Sequence, residues 1–330
     1  MKNLRYSLFL IFILLSLAVK SQGAAESINV GYYIKFLAIN NKEENAIIDL
    51  YYWYRFKLPK DTTDLKDYYN LEIVNGDIIV NDVQEERLIG NQFYVSGRLK
   101  GKFHFVSDFA NYPFDKQKLY IQLEHPTLTE DMLRLVPDST SYIKCRQPRS
   151  FWGLSKGLES DGLFASSSRF ELGKRTYETD FGDPEIEEPN SVYSNLSYCI
   201  FVSRDPSPYT IKFMLPLIII LCLAYLVFYI PADALDLACG LTVTSLLAGI
   251  AFQWTISDDL PDVGYLTCVD KIFYLSYILI MLAMVQTVWT YHLEKNGNVK
   301  LSNMLEILGR WLFPIFFFGG SGMFIWAAYY

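Results

Sequence analysis

Two carboxylates flank a short aromatic turn in the middle of the chain. The turn is Tyr112-Pro113-Phe114, and Asp108 and Asp115 lie on either side of it. Proline fixes φ between two aromatic rings, so the turn should be rigid and should pack on a protein or membrane surface. The carboxylates can form charge-assisted hydrogen bonds with a nearby cation. The pattern predicts a docking contact, and an ordinary β-turn with Pro and Asp is the alternative.

Residue types that carry catalysis or bind metals do not cluster along the chain. The three histidines, His104, His125 and His292, form no HExxH motif, and the five cysteines form no CxxC pair. The glycines within 319–322 lie in an apolar run, where small-residue helix packing explains them better than a nucleophile or phosphate loop. We therefore predict no enzyme activity, no metal site and no cofactor. A formal charge of −7 without a Lys/Arg-rich patch argues against nucleic acid as a partner.

Long apolar runs dominate the C-terminal part of the chain. Four stretches contain no Asp, Glu, Lys or Arg: 213–232, 237–257, 272–292 and 311–330. At about 1.5 Å per helical residue, each can cross a hydrocarbon core of about 30 Å. A buried helix of a soluble protein would explain any single run, but four close together favour a multi-pass membrane protein.

The N-terminus has the pattern of a signal peptide. Lys2 and Arg5 precede an apolar core at 8–19, and small residues follow, so we predict a signal peptide at 1–25. A retained anchor is the alternative, but the apolar core is too short to span comfortably. Four crossings after an exported N-terminus put the connection at 293–310 in the cytoplasm, and its slight excess of Lys and Arg agrees with the positive-inside rule.

The region from the signal peptide to Pro206 is rich in Tyr, Ile and Val. Alternating runs such as 47–58 and 91–105 are separated by turn signals at 75–77 and 100–102, which predicts a β-sandwich. Cys145 and Cys199 lie in this region. They can form one disulfide or remain two buried free thiols, and the sequence leaves both open.

The second apolar run is the most polar of the four and has two competing faces at helical spacing. One face carries Asp236, Gly240, Thr244, Leu247, Ala251, Trp254 and Asp258. The other carries Thr242, Ser245, Gly249 and Gln253. A helix that lines water tolerates such polarity better than a helix that faces lipid. Periodicity alone does not choose between the two faces.

The aromatic turn resembles the signature loop of pentameric ligand-gated ion channels, the Cys-loop receptor family. The family pattern is C-x-x-D-x-x-x-[FY]-P-[FM]-D-x-Q-x-C, and the residues in register are Asp108, Tyr112, Pro113, Phe114, Asp115 and Gln117. Phe105 and Leu119 occupy the two cysteine positions of this pattern, so the loop disulfide cannot form. This departure and the short 293–310 connection are similar to the bacterial branch, which implies a bacterial inner membrane with the N-terminal domain outside or periplasmic.

Three further motifs follow in the family's order. The segment Arg204-Asp205-Pro206-Ser207 resembles the R-x-P-S lead-in to the first membrane helix, a Leu-Pro-Leu follows at 215–217, and Leu260-Pro261 matches the linker after the second helix. The resemblance implies an extracellular β-sandwich followed by a four-helix transmembrane bundle, in a homopentamer around a central pore. It divides the chain into a signal peptide at 1–25, a ligand-binding domain at 26–206 and a pore domain at 207–330.

The register set by Leu260-Pro261 implies that the face beginning at Asp236 lines the pore. Asp236 would ring the cytoplasmic mouth and favour monovalent cations, because opposed carboxylates reinforce one another where little water screens them. Leu247 would close the pore by dewetting, with Trp254 as an outer constriction. As an alternative or additional role, Asp236 can cap the helix N-terminus.

The resemblance implies an agonist site between subunits, under the loop at 172–196. Tyr193 matches the aromatic at the trailing edge of this loop, and Tyr177 is the partner at its leading edge. His125 opens the segment where amine-binding members carry an aromatic, so one wall of a cation–π box is missing. Protons, carboxylates, amines and other small molecules remain open as the stimulus. Trp53 aligns with a family tryptophan, but we interpret it as core because Arg55 replaces the Asp of W-x-D.

Coupling between the domains is also implied by the resemblance. The aromatic turn should rest on the linker at 259–267, which includes Pro261, with Arg204 paired to Asp115 or Asp108. We therefore predict a ligand-gated or pH-gated, cation-selective channel in contact with membrane lipid, opened by a small molecule or by protons. A membrane-anchored sensor or adhesion protein that conducts no ions is the alternative.

Overall fold

The computed structural model describes residues 25–58, 65–160, 162–179, 182, 190–257 and 263–329. The predicted signal peptide lies outside the described residues except for Ala25. Asp258, Leu260 and Pro261 lie outside them as well.

Strands make up the N-terminal part. In chain order they are β1 (Glu26–Asn40), β2 (Asn45–Lys57), β3 (Glu72–Ile73), β4 (Gly76–Ile89), β5 (Gln92–His104), β6 (Lys116–Glu124), β7 (Leu133–Pro137), β8 (Glu159–Ser160), β9 (Leu163–Glu178) and β10 (Asn190–Arg204). Two short helices interrupt them, α1 (Leu65–Tyr69) and α2 (Ser139–Lys144).

The described strands form two five-stranded sheets, ordered β4-β5-β2-β1-β7 and β3-β6-β10-β9-β8. Strand β1 pairs with β7 in parallel, and the other pairs are antiparallel. Residues on β5 alternate between buried and half-buried, and Val95, Leu99 and Phe103 point into the core. This period of two is expected of strands that cover one face of a core. The predicted sandwich fold is confirmed.

Four helices follow: α3 (Pro206–Tyr225), α4 (Leu235–Ser257), α5 (Cys268–Lys295) and α6 (Val299–Tyr329). With the 3-10 turns that adjoin α3 and α4, the four segments are 24, 26, 28 and 31 residues long and apolar enough to cross a membrane. Helix α6 begins 12 residues before the predicted run at 311, because its first turns are helical but contain charged residues. The helices share a second core, separate from that of the sandwich.

A cap at the start of α3 and a proline within α6 help to order the helix bundle. Pro206 lies in the first turn of α3, and the Asp205 side chain caps this helix by accepting a hydrogen bond from the Ser207 amide at 3.0 Å. In α6, Pro314 has no N–H to donate to the carbonyl of Arg310. The Tyr225 hydroxyl donates to that carbonyl instead, at 3.1 Å, and so joins α3 to α6.

Candidate functional site

The aromatic turn, taken from here on with the preceding residues 109–111, lies on the transmembrane helices. Phe109 is fully buried and Tyr112 nearly so, and both belong to the core of the helix bundle rather than to that of the sandwich. The ring of Phe114 packs edge-on against Tyr329 near the end of α6, with centroids 6.3 Å apart. The turn therefore forms part of the contact between the two domains.

A buried ion pair lies directly behind this turn. Arg204, the last residue of β10, has its Nε 3.5 Å from Oδ1 of Asp115, and the two side chains are only 5% and 0% exposed. Gln117 donates to the other carboxylate oxygen of Asp115 at 2.7 Å. The Asp108 carboxylate instead accepts from the Ala110 amide and stabilises the turn. Of the two predicted partners, Asp115 is the one beside Arg204.

Aromatic rings surround the guanidinium of Arg204. Its Cζ lies 5.2 Å from the ring centroid of Tyr112 and 4.6 Å from that of Tyr209 on α3. Such contacts stabilise a cation that has lost its water. Arg204, at the end of the last strand, therefore contacts both the turn and the first membrane helix.

The linker after α4 reaches the turn through Tyr265. The backbone amide of Phe109 donates to the Tyr265 hydroxyl at 2.9 Å. The predicted contact with Pro261 lies outside the described residues. The part of the linker that the structure describes thus touches the sandwich domain by a direct hydrogen bond.

Packing within the subunit distinguishes the two faces of α4. Thr242 and Ser245 are each 1% exposed and Gly249 is buried, so this face packs on the other helices. The other predicted face is exposed at each described position: Asp236, Gly240, Thr244, Leu247, Ala251 and Trp254. Leu247 is 62% exposed and Trp254 is 74% exposed. Large apolar side chains left bare on a membrane helix are covered by lipid or by another subunit.

Asp236 is the second residue of α4 and is exposed. A carboxylate in the first helical turn interacts favourably with the helix dipole. The short 3-10 turn at Ala232–Ala234 precedes the helix, so Asp236 lies inside the first turn rather than at the capping position.

The two predicted agonist tyrosines are neighbours. The rings of Tyr177 on β9 and Tyr193 on β10 are 5.7 Å apart and nearly perpendicular. The Tyr177 hydroxyl donates to the carboxylate of Glu124 at 2.9 Å. Partial burial and the hydrogen bond to this carboxylate raise the pKa of Tyr177.

Glu124 is the member of this group that sequence reasoning missed. It is 3% exposed at the end of β6, where it also accepts from Asn195 Nδ2 at 2.8 Å and lies 3.8 Å from Arg175. A buried carboxylate needs such partners. A glutamate at the end of an alternating strand was a weak signal, because its partners come from two other strands.

His125 is buried beside this group and is held within its own subunit. Its Nδ1 accepts from the amides of Thr127 and Leu128 at 3.1 and 2.9 Å, and its Nε2 lies 3.1 Å from the carbonyl of Asp67. Two amides aimed at Nδ1 require that nitrogen to be unprotonated, so Nε2 carries the hydrogen. Burial lowers the pKa of His125 below its ordinary value of 6.5.

This histidine predicts how stability depends on pH. The neutral ring is favoured in the folded state, so its stabilising contribution is present above about pH 6.5 and is lost as pH falls through the lowered folded pKa. In thermal melts across this range we expect the wild type to lose stability more steeply than His125→Asn, whose amide can still donate and accept. The difference is at most about 1.4 kcal/mol per pH unit for one proton. Parallel melting curves would contradict this assignment.

Trp53 is not a core residue, which corrects the sequence interpretation. It is half-buried on the outer side of β2, where its Nε1 donates to Asp138 at 2.7 Å and its ring packs on Tyr142. Its ring crosses over Gly31 on β1, where a Cβ would lie 2.1 Å from the indole. Arg55, two residues along, pairs with the same Asp138.

Asp138 remains ionised although it is buried. Burial disfavours the charge, but hydrogen bonds from Ser141, Trp53 and Thr140 and the charge of Arg55 together lower its pKa.

The two cysteines of the sandwich are free thiols, with Cys145 exposed and Cys199 buried. The predicted alternative of a disulfide between these two described residues is therefore not observed. The alternative of two buried thiols holds for Cys199 but not for the exposed Cys145.

Comparisons with known proteins agree with this architecture. Residues 213–298 match the family model described as the neurotransmitter-gated ion-channel transmembrane region. The chain is similar to the proton-gated ion channel of Gloeobacter violaceus, with 23% identity over 210 residues, 64% of this chain and 53% of that protein. It is 25% identical over 211 residues to pH-sensitive chloride channel 2 of Drosophila melanogaster, covering 62% of this chain and 37% of that protein. It is 32% identical over 187 residues to neuronal acetylcholine receptor subunit beta-2 of Carassius auratus, covering 55% of this chain and 35% of that protein.

The matched part of the chain spans about half the length of the Gloeobacter relative and 35–37% of the two animal relatives. The fold, the signature loop and these matches identify a multi-pass membrane protein of a receptor class. The family model over 213–298 and these relatives support a place for the chain in the pentameric ligand-gated ion-channel family. That family consists of ion channels rather than enzymes.

Proposed function

We propose that this chain is one subunit of a homopentameric ligand-gated ion channel, with α4 lining the pore. The observation that carries the proposal is the exposed face of α4, from Asp236 to Trp254, opposite the face that packs on the helices of its own subunit. Residues on such a face are covered when copies of the helix surround a common axis. Water in a pore also accounts for a carboxylate and threonine hydroxyls on a membrane helix.

We further propose that the channel selects cations. Asp236 is the one carboxylate on the described part of this face, and in a pentamer it forms a ring of five at one end of the pore. Such a ring attracts cations and repels anions. The relatives differ in this property, since one is named as a chloride channel, so selectivity rests on Asp236 itself.

The stimulus would act at the cluster of Tyr177, Tyr193 and Glu124. A buried ring and a half-buried ring beside a carboxylate suit a small polar ligand at a subunit boundary. The names of the relatives refer to protons, to pH and to acetylcholine, so the comparisons do not distinguish between these stimuli. His125 follows Glu124 directly, but we do not place it on the ligand, because both of its ring nitrogens are engaged within the subunit.

The proposed organisation keeps the predicted boundaries. It has a signal peptide at 1–25, an extracellular or periplasmic domain at 26–206 and a pore domain at 207–330, with a bacterial inner membrane as the expected location. The contact of the aromatic turn with the helix bundle supports the boundary near Pro206.

The test is a recording from the purified full chain in planar bilayers under a salt gradient. Acidification steps, primary amines and short-chain carboxylates are applied in turn. We expect stimulus-dependent currents that reverse near the cation equilibrium potential. A pentamer-sized particle that never conducts would contradict the proposal and would favour a membrane-anchored sensor.

The gate gives a further prediction. Leu247→Ser removes an apolar side chain from each subunit, and burial of such a side chain contributes about 1.5–3 kcal/mol. A closed ring of Leu247 excludes water, so we expect the variant to leak or to respond to an about tenfold weaker stimulus. The measurement is the dose response in bilayers.

The matched control is Leu237→Ser, the same change at a residue of α4 that is equally bare, 64% against 62% exposed, but outside the proposed pore face. A similar increase in sensitivity in both variants would contradict a gate at Leu247.

A further inference from the structure

A half-buried polar link joins α4 to α5. The amide of Gln253 donates from Nε2 to Asp270 Oδ1 at 2.8 Å, and its Oε1 accepts from the Tyr277 hydroxyl at 2.9 Å. Both ends of one side chain on α4 are thus held by two side chains of α5. The threonines of α4 differ, since Thr242, Thr244 and Thr255 donate to carbonyls of their own helix.

Asp270 also holds the beginning of α5. Its Oδ2 accepts from the amide and the hydroxyl of Thr267 at 3.0 and 2.8 Å, and the Thr267 hydroxyl accepts from the Asp270 amide to complete a capping box. One carboxylate therefore binds Gln253 with one oxygen and the helix start with the other. The start of α5 cannot shift relative to α4 without breaking a hydrogen bond.

Gly249 makes the Tyr277 contact possible. It lies one turn below Gln253, and a Cβ at this position would be 3.0 Å from Cε1 of Tyr277. The ring packs against the bare backbone of α4, and its hydroxyl reaches the amide of Gln253. A larger side chain at 249 would move the ring and its hydroxyl away from Gln253.

The same link continues to the sandwich domain. The hydroxyl of Tyr265, two residues before Thr267, accepts a hydrogen bond from the amide of Phe109 in the aromatic turn. The path from the turn to Gln253 thus runs through the Tyr265 hydrogen bond, the backbone from Tyr265 to Thr267, and the hydrogen bonds of Asp270. Trp254 follows Gln253 directly and Leu247 lies below it on the bare face of the same helix.

We propose that Gln253, held by Asp270 and Tyr277, is the positioning residue that transmits movement of the aromatic turn to the pore-facing side of α4. The inference rests on the proposed channel function. The three side chains are half-buried between the helices, and hydrogen bonds there are stronger than in bulk water, so the two helix segments that they join are expected to move together. Without the link, α5 can follow the turn while α4 stays behind.

The experiment compares Tyr277→Phe and Gln253→Met with the wild type in planar bilayers. Acidification steps are the first probe, followed by primary amines and short-chain carboxylates. We expect each variant to need an about fivefold stronger stimulus or more, the size of a typical coupling between sites. Unitary conductance and reversal potential should not change, because neither side chain lies on the bare face of α4.

Tyr274→Phe is the matched control. It removes the same hydroxyl from the same helix, at an exposed ring 6.2 Å from that of Tyr277. The double variant Gln253→Met/Tyr277→Phe should respond like Gln253→Met alone, since the bond that Tyr277→Phe removes is already lost in Gln253→Met. Size-exclusion chromatography checks that every variant remains a pentamer.

The outcomes separate the two claims. Wild-type sensitivity in Tyr277→Phe, an equal shift in Tyr274→Phe, or additive shifts in the double variant would overturn this inference alone. Altered conductance or selectivity would overturn it as well, because the link would then shape the pore itself. A wild-type chain without currents would overturn the proposed function, and this inference with it.

Discussion

Replacing Asp236 by lysine is expected to convert a cation-selective pore into one that favours anions. In a pentamer the change turns five negative charges into five positive ones at a narrow opening, where opposed charges are weakly screened. Asp236→Ala should lower the conductance and weaken cation preference without reversing it. The measurement is the reversal potential under a salt gradient for each variant, which reports the ion preference independently of how often the channel opens.

Asp233→Lys is the control for this prediction. Asp233 lies three residues before Asp236, is also exposed, and belongs to the 3-10 turn before α4 rather than to the bare face. The general surface potential changes equally in both variants, so only Asp236→Lys should change the ion preference strongly. Asp258→Lys, at the predicted wider mouth, should have a smaller effect, because salt screens charges there over about 8 Å. Strong cation preference in Asp236→Lys would mean that these side chains point away from the pore.

The second large effect is expected at the buried pair of Arg204 and Asp115. Arg204→Gln removes the charge at the end of β10 that contacts the aromatic turn and α3, so the sandwich can no longer move the bundle. We expect the response to the stimulus to fall by more than about tenfold or to vanish. Removing one partner of a buried pair also costs about 3–5 kcal/mol, since it leaves the other charge uncompensated. Bilayer recordings on pentameric fractions measure the response.

Two further variants separate coupling from folding. Arg204→Gln/Asp115→Asn removes both charges, so it should restore stability in thermal melts but not the response. Arg169→Gln removes an exposed arginine that stacks on Phe201 of the same sheet, with Cζ 4.8 Å from the ring centroid, and should leave both unchanged. Full recovery of the response in the double variant would show that the pair serves stability alone.

Local composition explains how much of this fold could be predicted. A long apolar run without charged residues is explained best by a membrane-spanning helix. An alternation of apolar and polar residues with a period of two is explained best by a strand that covers a core. The four membrane helices and the β-sandwich were therefore predictable, except at the helix ends. Helix α6 extends over charged residues such as Lys300 and Arg310, because a helix continues beyond the hydrocarbon layer.

Where aromatic residues occupy both sides of a strand, the sequence does not show which side faces the core. In β2 the run Tyr51 to Phe56 alternates in the structure, and Tyr52 and Tyr54 point inward while Trp53 points outward. Every residue of the run except Arg55 is aromatic, so the pattern does not show which side is the core. The error at Trp53 has this origin.

The amino-acid sequence by itself determined the order of domains, the four membrane helices and the docking turn, because these depend on residues close together in the chain. Only the tertiary structure decided which face of α4 is bare, that Arg204 lies beside Asp115, and that Glu124 joins Tyr177. Each of these depends on contacts between residues far apart in the chain. Such contacts are set by strand register and by the packing of whole helices, as where the ring of Tyr277 fits over Gly249, and no local pattern encodes them.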